Sequence, residues 1–127
     1  MSRVYVIYNP LANNGRSREA MEEFARSVGE CVLCDMTKGY EESIKAMAAE
    51  DSLIICGGDG TLNRFVNEVN VEEIAGDILY FACGSGNDFA HDISLERGDA
   101  PVSIKKYLLD LPCVEINGRS YKFINAI

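Results

Sequence analysis

The sequence predicts an α/β domain built on a mostly parallel sheet with helices on both faces. Three observations lead there. Four short apolar runs, at residues 3–8, 31–36, 52–56 and 77–82, alternate with amphipathic stretches at the close spacing of βαβ units. The third run, "SLIIC", is apolar throughout instead of alternating, which suits a parallel strand covered on both sides. Turn-forming loops follow the first, third and fourth runs, "NPLANNG", "GGDGT" and "CGSGND", and each leads into a helical pattern.

Taken in order, "RVYVIY" is rich in β-branched and aromatic residues and reads as a buried strand. Residues 17–28 follow as a helix with Met21, Phe24, Ala25 and Val28 on its buried face. "CVLCDM" reads as a short buried second strand, and Tyr40, Ile44, Met47 and Ala48 mark one face of a second helix. After the third strand, Leu62, Phe65, Val66 and Val69 form the core stripe of a third helix. "DILYFA" is the fourth strand. Pro101 suits the first turn of a last helix, whose buried face is Ile104, Tyr107, Leu108 and Leu111. Two β-rich runs then flank Asn117-Gly118, a pair that favours a type I′ hairpin turn. The expected division is therefore an α/β domain at 1–111 and a hairpin at 112–127 that starts a second, missing domain. A finished domain seldom ends on "FINAI".

Composition narrows the function classes. The chain has 127 residues, 47% hydrophobic and 25% charged, enough for one domain with a real core. Its 12 basic and 20 acidic residues leave a net charge of −8, which argues against nucleic-acid binding and against general attraction to anionic lipid. Any phosphate must be held by local geometry. No apolar run approaches the ~20 residues of a membrane span, and the N-terminus lacks a secretory signal, so the expected location is cytoplasmic. Five cysteines, an odd count, point to reduced thiols. Cys31 and Cys34 form a CxxC without a second pair, and the single histidine, His91, reads as an ordinary polar residue; zinc lacks a ligand set.

The loops carry the chemistry. Parallel strands end along one edge, and ligands bind there. Helix N-termini supply free N–H groups and partial positive charge, and glycines let phosphate approach the backbone. Thr61 stands where it could cap the third helix or touch a phosphate oxygen. A carboxylate within such a loop needs a purpose: holding a hydrated Mg²⁺, taking a proton from a nucleophile, or capping its own turn. Asp59 and Asp88 are the two carboxylates so placed.

These motifs resemble the diacylglycerol kinase catalytic domain family, which includes bacterial lipid kinases and the sphingosine and ceramide kinases. The landmarks are Asn9-Pro10, "GGDGTLN" from Gly57 to Asn63, and "GSGNDFA" from Gly84 to Ala90; "VEINGRSYKFIN" resembles the start of the family's second domain. GGDG alone is shared with NAD kinases and 6-phosphofructokinases, whereas the later motif is far more specific. The resemblance implies a phosphofructokinase-like nucleotide-binding domain followed by a β-sandwich, with ATP and Mg²⁺ between them and a lipid hydroxyl as phosphoryl acceptor. It implies a nucleotide site lined by Asn9, Pro10, Asn13, Thr37, Gly57, Gly58, Asp59, Gly60, Thr61, Asn63, Gly84, Ser85 and Asn87. Asp59 would be the catalytic carboxylate, and Asp59 and Asp88 would reach the metal through water. Glu115 stands where many members place a further acid. In the bacterial soluble branch the general base lies in the second domain, which implies that this stretch alone is inactive. The lipid would be met through that second domain and by peripheral contact with a membrane. The hairpin edge at 113–125 invites a homodimer.

The chain departs from the family pattern at four places. Members often read "GGDGTLNE", and here the last position is Arg64, which either contacts phosphate or lies on the helix surface. Ala82 replaces a usual proline, Ser85 a threonine and His91 a frequent arginine. Two other readings stand beside the lipid kinase: an NAD kinase or phosphofructokinase relative with a soluble acceptor, and a non-catalytic nucleotide-binding module.

Overall fold

The computed structural model describes residues 3–9, 16–83, 89–90, 93–96, 99–109, 111, 113–116 and 118–122. The elements run β1 (Val4–Tyr8), α1 (Arg16–Val28), β2 (Val32–Asp35), α2 (Glu41–Lys45), β3 (Ser52–Gly57), α3 (Asp59–Glu68), β4 (Asp77–Ala82), β5 (Val102–Ser103), α4 (Lys105–Leu108), β6 (Cys113–Ile116) and β7 (Arg119–Lys122). A 3-10 turn at Val71–Glu73 links α3 to β4.

Five strands form one sheet in the order β2-β1-β3-β4-β5. The first four are parallel, and only the two-residue β5 runs antiparallel, against Leu79 and Tyr80. The chain winds outward one way from β1 to β2 and the other way from β3 to β4. The order therefore reverses between β1 and β3, and in sheets of this kind ligands bind outside the carboxyl ends at such a switch point.

Alternation along the strands sorts the core into two layers. Val6, Ile54, Cys56 and Phe81 face α1, where they meet Met21, Phe24 and Ala25, and Phe24 stacks on Phe81 with ring centroids 4.5 Å apart. Tyr5, Ile7, Leu53, Ile55, Ile78 and Tyr80 face the other way, onto Ile44 of α2, Leu62, Phe65 and Val66 of α3, and Ile104 and Leu108 around α4. Burying each such side chain is worth about 1.5–3 kcal/mol. This is the mostly parallel sheet with helices on both faces that the pattern predicts.

Several local expectations are corrected. β2 is an edge strand with β1 as its one neighbour in the sheet, so Cys34 is buried while Leu33 is 50% exposed. Val28 is exposed because α1 ends there, and the Gly29 N–H closes on the Ala25 carbonyl. α2 stops at Lys45, leaving Ala48 exposed: the Asp51 carboxylate takes the Ala48 N–H, and the Asp51 N–H turns back to the Ala48 carbonyl. Pro101 leads into β5, and the helix begins four residues later, at Lys105. Of its predicted buried face, Tyr107 is exposed, though its ring edge meets Phe89.

β6 and β7 pair as an antiparallel hairpin from Cys113↔Lys122 to Ile116↔Arg119. Gly118 has φ +80°, the conformation a type I′ turn asks of its second residue; Asn117 lies outside the described residues.

Candidate active site: the carboxyl rim of the sheet

Register sets the rim. Tyr8 pairs with Asp35 on one side and Cys56 on the other, Cys56 pairs with Phe81, and Gly57 with Ala82. Four strands therefore end at one level. Asn9 follows β1, Thr37 follows β2, Gly57 closes β3, and Cys83 follows β4. Pro10, Asn13, Gly84, Ser85, Asn87, Asp88 and His91 lie outside the described residues; Asn9, Thr37, Gly57, Gly58, Asp59, Gly60, Thr61 and Asn63 are within them.

The turn from β3 into α3 is built for tightness. Gly57 has φ +155°, which disfavours side chains, and an added Cβ would lie 2.5 Å from Thr61 Oγ1. The Gly57 carbonyl is held twice, by the Tyr80 hydroxyl at 3.0 Å and by the Cys83 N–H at 3.0 Å. Burial, and after it the nearby Asp59 charge, pushes the Tyr80 hydroxyl well above its usual range, so it stays a donor. Tyr80 escapes a motif search, although a tyrosine inside a buried strand has to find a polar partner.

Helix α3 then starts without a side-chain cap. Its N-cap is Gly58, in extended conformation. Thr61 is neither the cap nor exposed; it is 4% accessible and fills the space over Gly57. The first N–H groups of α3 lack a side-chain acceptor of the capping kind, which makes this helix end suited to an anion. Gly60, on the exposed first turn, has nothing among the described residues within 4 Å of a would-be Cβ. A helical glycine costs about 0.5–1 kcal/mol relative to alanine. Among the described residues no neighbour requires it.

Asp59 reaches across the rim. Its Oδ1 accepts the Phe89 N–H at 3.1 Å and thereby ties Phe89 to the "GGDGT" turn. Phe89 and Ala90 are buried, and Phe89 packs 6.1 Å from Tyr80 between ring centroids. The carboxylate thus stands between the "GGDGT" turn and Phe89 and is itself half-buried. Among the described residues no group of three His, Cys, Asp or Glu side chains could hold a metal ion as a cage. A hydrated Mg²⁺ does not need one, since it binds through one or two carboxylates and phosphate oxygens.

The fourth wall is the 35–38 loop. Thr37 donates both its N–H (2.8 Å) and its hydroxyl (2.6 Å) to Asp35 Oδ1, while the Met36 N–H reaches the Tyr8 carbonyl at 2.9 Å. Arg64 comes from α3 to meet this loop. It donates to the Met36 carbonyl at 2.9 Å and to Glu68 Oε1 at 2.9 Å. Arg64 stands partly exposed on α3, with Nε aimed at Glu68 and Nη2 at the Met36 carbonyl. The cysteines Cys31, Cys34, Cys56 and Cys83 are free thiols, and burial raises the titration of Cys34 and Cys56.

In a parallel α/β sheet the carboxyl rim at the switch point is where ligands bind. Residues 3–111 match the family described as Diacylglycerol kinase catalytic domain, and the chain belongs to that family. It is a kinase-like catalytic domain of the lipid and sphingosine kinase group. No curated protein matches the chain. Among the described residues no helix is long and apolar enough to cross a membrane.

Proposed function

We propose that the protein is an ATP-dependent lipid kinase, with this chain as its ATP-binding domain. The observation that carries the reading is the Gly57–Thr61 turn. It offers a helix start without a side-chain cap and a Gly60 that no described residue crowds, beside a carboxylate that takes the Phe89 N–H. Membership of the diacylglycerol kinase catalytic domain family supports it.

In this reading the triphosphate lies along the amides of Gly58, Asp59, Gly60 and Thr61, with Asn9, Pro10, Asn13, Thr37, Asn63, Gly84, Ser85 and Asn87 around it. Asp59 and Asp88 would hold a Mg²⁺ through water, and the ion would supply neutralisation of the phosphate charge. The lipid hydroxyl oxygen forms a bond to the γ-phosphorus as the bond from that phosphorus to the β–γ bridging oxygen breaks. The hydroxyl proton goes to a base, either Asp59 or a carboxylate of a following domain. Residues 1–111 are the nucleotide domain, and the hairpin at 112–127 leads into the domain that presents the lipid. The enzyme works from the cytoplasm, touching the membrane peripherally.

The test is an acceptor screen with the complete protein and γ-labelled ATP. Diacylglycerol, a sphingoid base and phosphatidylglycerol are offered in mixed micelles, with NAD and fructose 6-phosphate as soluble controls. Label in a lipid is the expected result. Label only in a soluble acceptor would transfer the assignment to the NAD kinase and phosphofructokinase relatives. Nucleotide binding without transfer to any acceptor would leave a non-catalytic module.

A further inference from the structure

We propose that Arg64 is a positioning residue for the nucleotide: it holds the 35–38 loop, and with it Thr37, at the rim, and does not meet phosphate itself. This deepens the reading above and rests on it.

Three elements converge at the guanidinium. Nη2 donates to the Met36 carbonyl at 2.9 Å, and Nε donates to Glu68 Oε1 at 2.9 Å. The same Glu68 oxygen accepts the hydroxyl of Tyr40 at 2.9 Å. Tyr40 is buried and occupies the position just before α2. Its hydroxyl is kept protonated by burial first and by Glu68 second. The loop is thereby pinned at both ends. At its start the Met36 N–H reaches the Tyr8 carbonyl and the Met36 carbonyl is taken by Arg64. At its end Tyr40 is tied to the same carboxylate that orients Arg64. Thr37 sits between the two anchors, folded onto Asp35.

Arginine suits this place because its fork can serve a carboxylate and a carbonyl at once, and a charged donor makes the stronger bond. Glutamate, frequent at this position in the family, would fail here. It has no donor for the Met36 carbonyl, and it would set a like charge one turn from Glu68. The departure at residue 64 is thus matched to Glu68 and Tyr40.

The experiment compares wild type, R64E, R64Q and R64K in the complete protein. Hydrogen exchange at the Met36, Thr37 and Lys38 amides is followed without nucleotide, and ADP and ATP affinities are measured by calorimetry. In R64E and R64Q those amides should exchange faster, and both nucleotides should bind about tenfold more weakly, the scale of one charge-assisted hydrogen bond. R64K, which keeps a charged donor where R64Q keeps only a neutral one, should recover most of that affinity. Unchanged exchange in R64E and R64Q overturns the proposal, as does unchanged nucleotide affinity. A loss much larger for ATP than for ADP overturns it in favour of direct phosphate contact. Wild type that binds neither nucleotide brings down the functional reading and this inference together, whereas wild-type binding with indifferent variants removes the inference alone.

Discussion

Strand β3 starts beside one aspartate and ends beside another, and the two are used in opposite ways. At the amino end, Asp51 is 5% exposed and spends its carboxylate on the backbone, taking the Arg3 N–H at 2.7 Å and the Ala48 N–H at 2.8 Å. Around it the polar groups are matched: Lys105 Nζ donates to the carbonyls of Ile74 and Gly76, and the Ser103 hydroxyl to Asp77. Gly76 is required there, since an added Cβ would run into the Asp51 carbonyl oxygen. At the carboxyl end, Asp59 takes the Phe89 N–H, the helix start beside it has no side-chain cap from its N-cap Gly58, and among the described residues nothing crowds Gly60. One end of the strand is closed by the protein's own groups. The other, on the proposed reading, is shaped for a ligand.

The contrast can be broken most forcefully at the aspartates. D59N keeps an oxygen for the Phe89 N–H but removes the charge. It should leave the melting temperature nearly unchanged and cut phosphoryl transfer in the complete protein by about a hundred- to ten-thousandfold. Wild-type turnover in that variant would show Asp59 to be another Asp51. G76A reverses the pattern. It should destabilise the fold by about 3 kcal/mol, since overpacking against backbone has little room to relax, and chemical denaturation would read the loss. A fully stable G76A would mean that the amino end yields as readily as the carboxyl end.

Acid sharpens the comparison on a smaller scale. The Ala48 and then the Arg3 N–H groups hold the Asp51 carboxyl below its usual 3.8. With the folded value depressed, the unfolded chain binds the proton first. The stabilisation is therefore present above pH 3.8 and lost as pH falls through the depressed value. Urea midpoints taken down through this window should fall for wild type. D51N should start lower at neutral pH and fall less steeply.

How far the sequence discloses all this differs between the two ends. The strands are legible because continuous apolar runs have few other uses, and "DILYFA" is found at Asp77–Ala82 as read. The carboxyl rim is legible because its glycines gather in motifs. The amino end is not, because Asp51 and Gly76 are 25 residues apart and nothing local announces that one will press on the other. The same blindness explains α2. Tyr40, Ile44 and Met47 are buried as their spacing predicts, but Asp51 draws the chain away before Ala48 can join them. Arg64 is equally opaque: its partners, a carbonyl 28 positions earlier and a carboxylate one turn later, emerge only once α3 lies beside the β2–α2 loop.

Gly60 provides the most direct measurement, because stability and binding should move in opposite directions there. Calorimetric titration of Mg-ATP into wild type and G60A, with thermal melting of both, is the decisive pair. The account predicts that G60A is more stable by about 0.5–1 kcal/mol, as for alanine over glycine in a helix, while nucleotide affinity falls tenfold or more, on the order of 1.4 kcal/mol. If G60A is stabilised and binds Mg-ATP as tightly as wild type, or if wild type binds none, the carboxyl rim is not the nucleotide site.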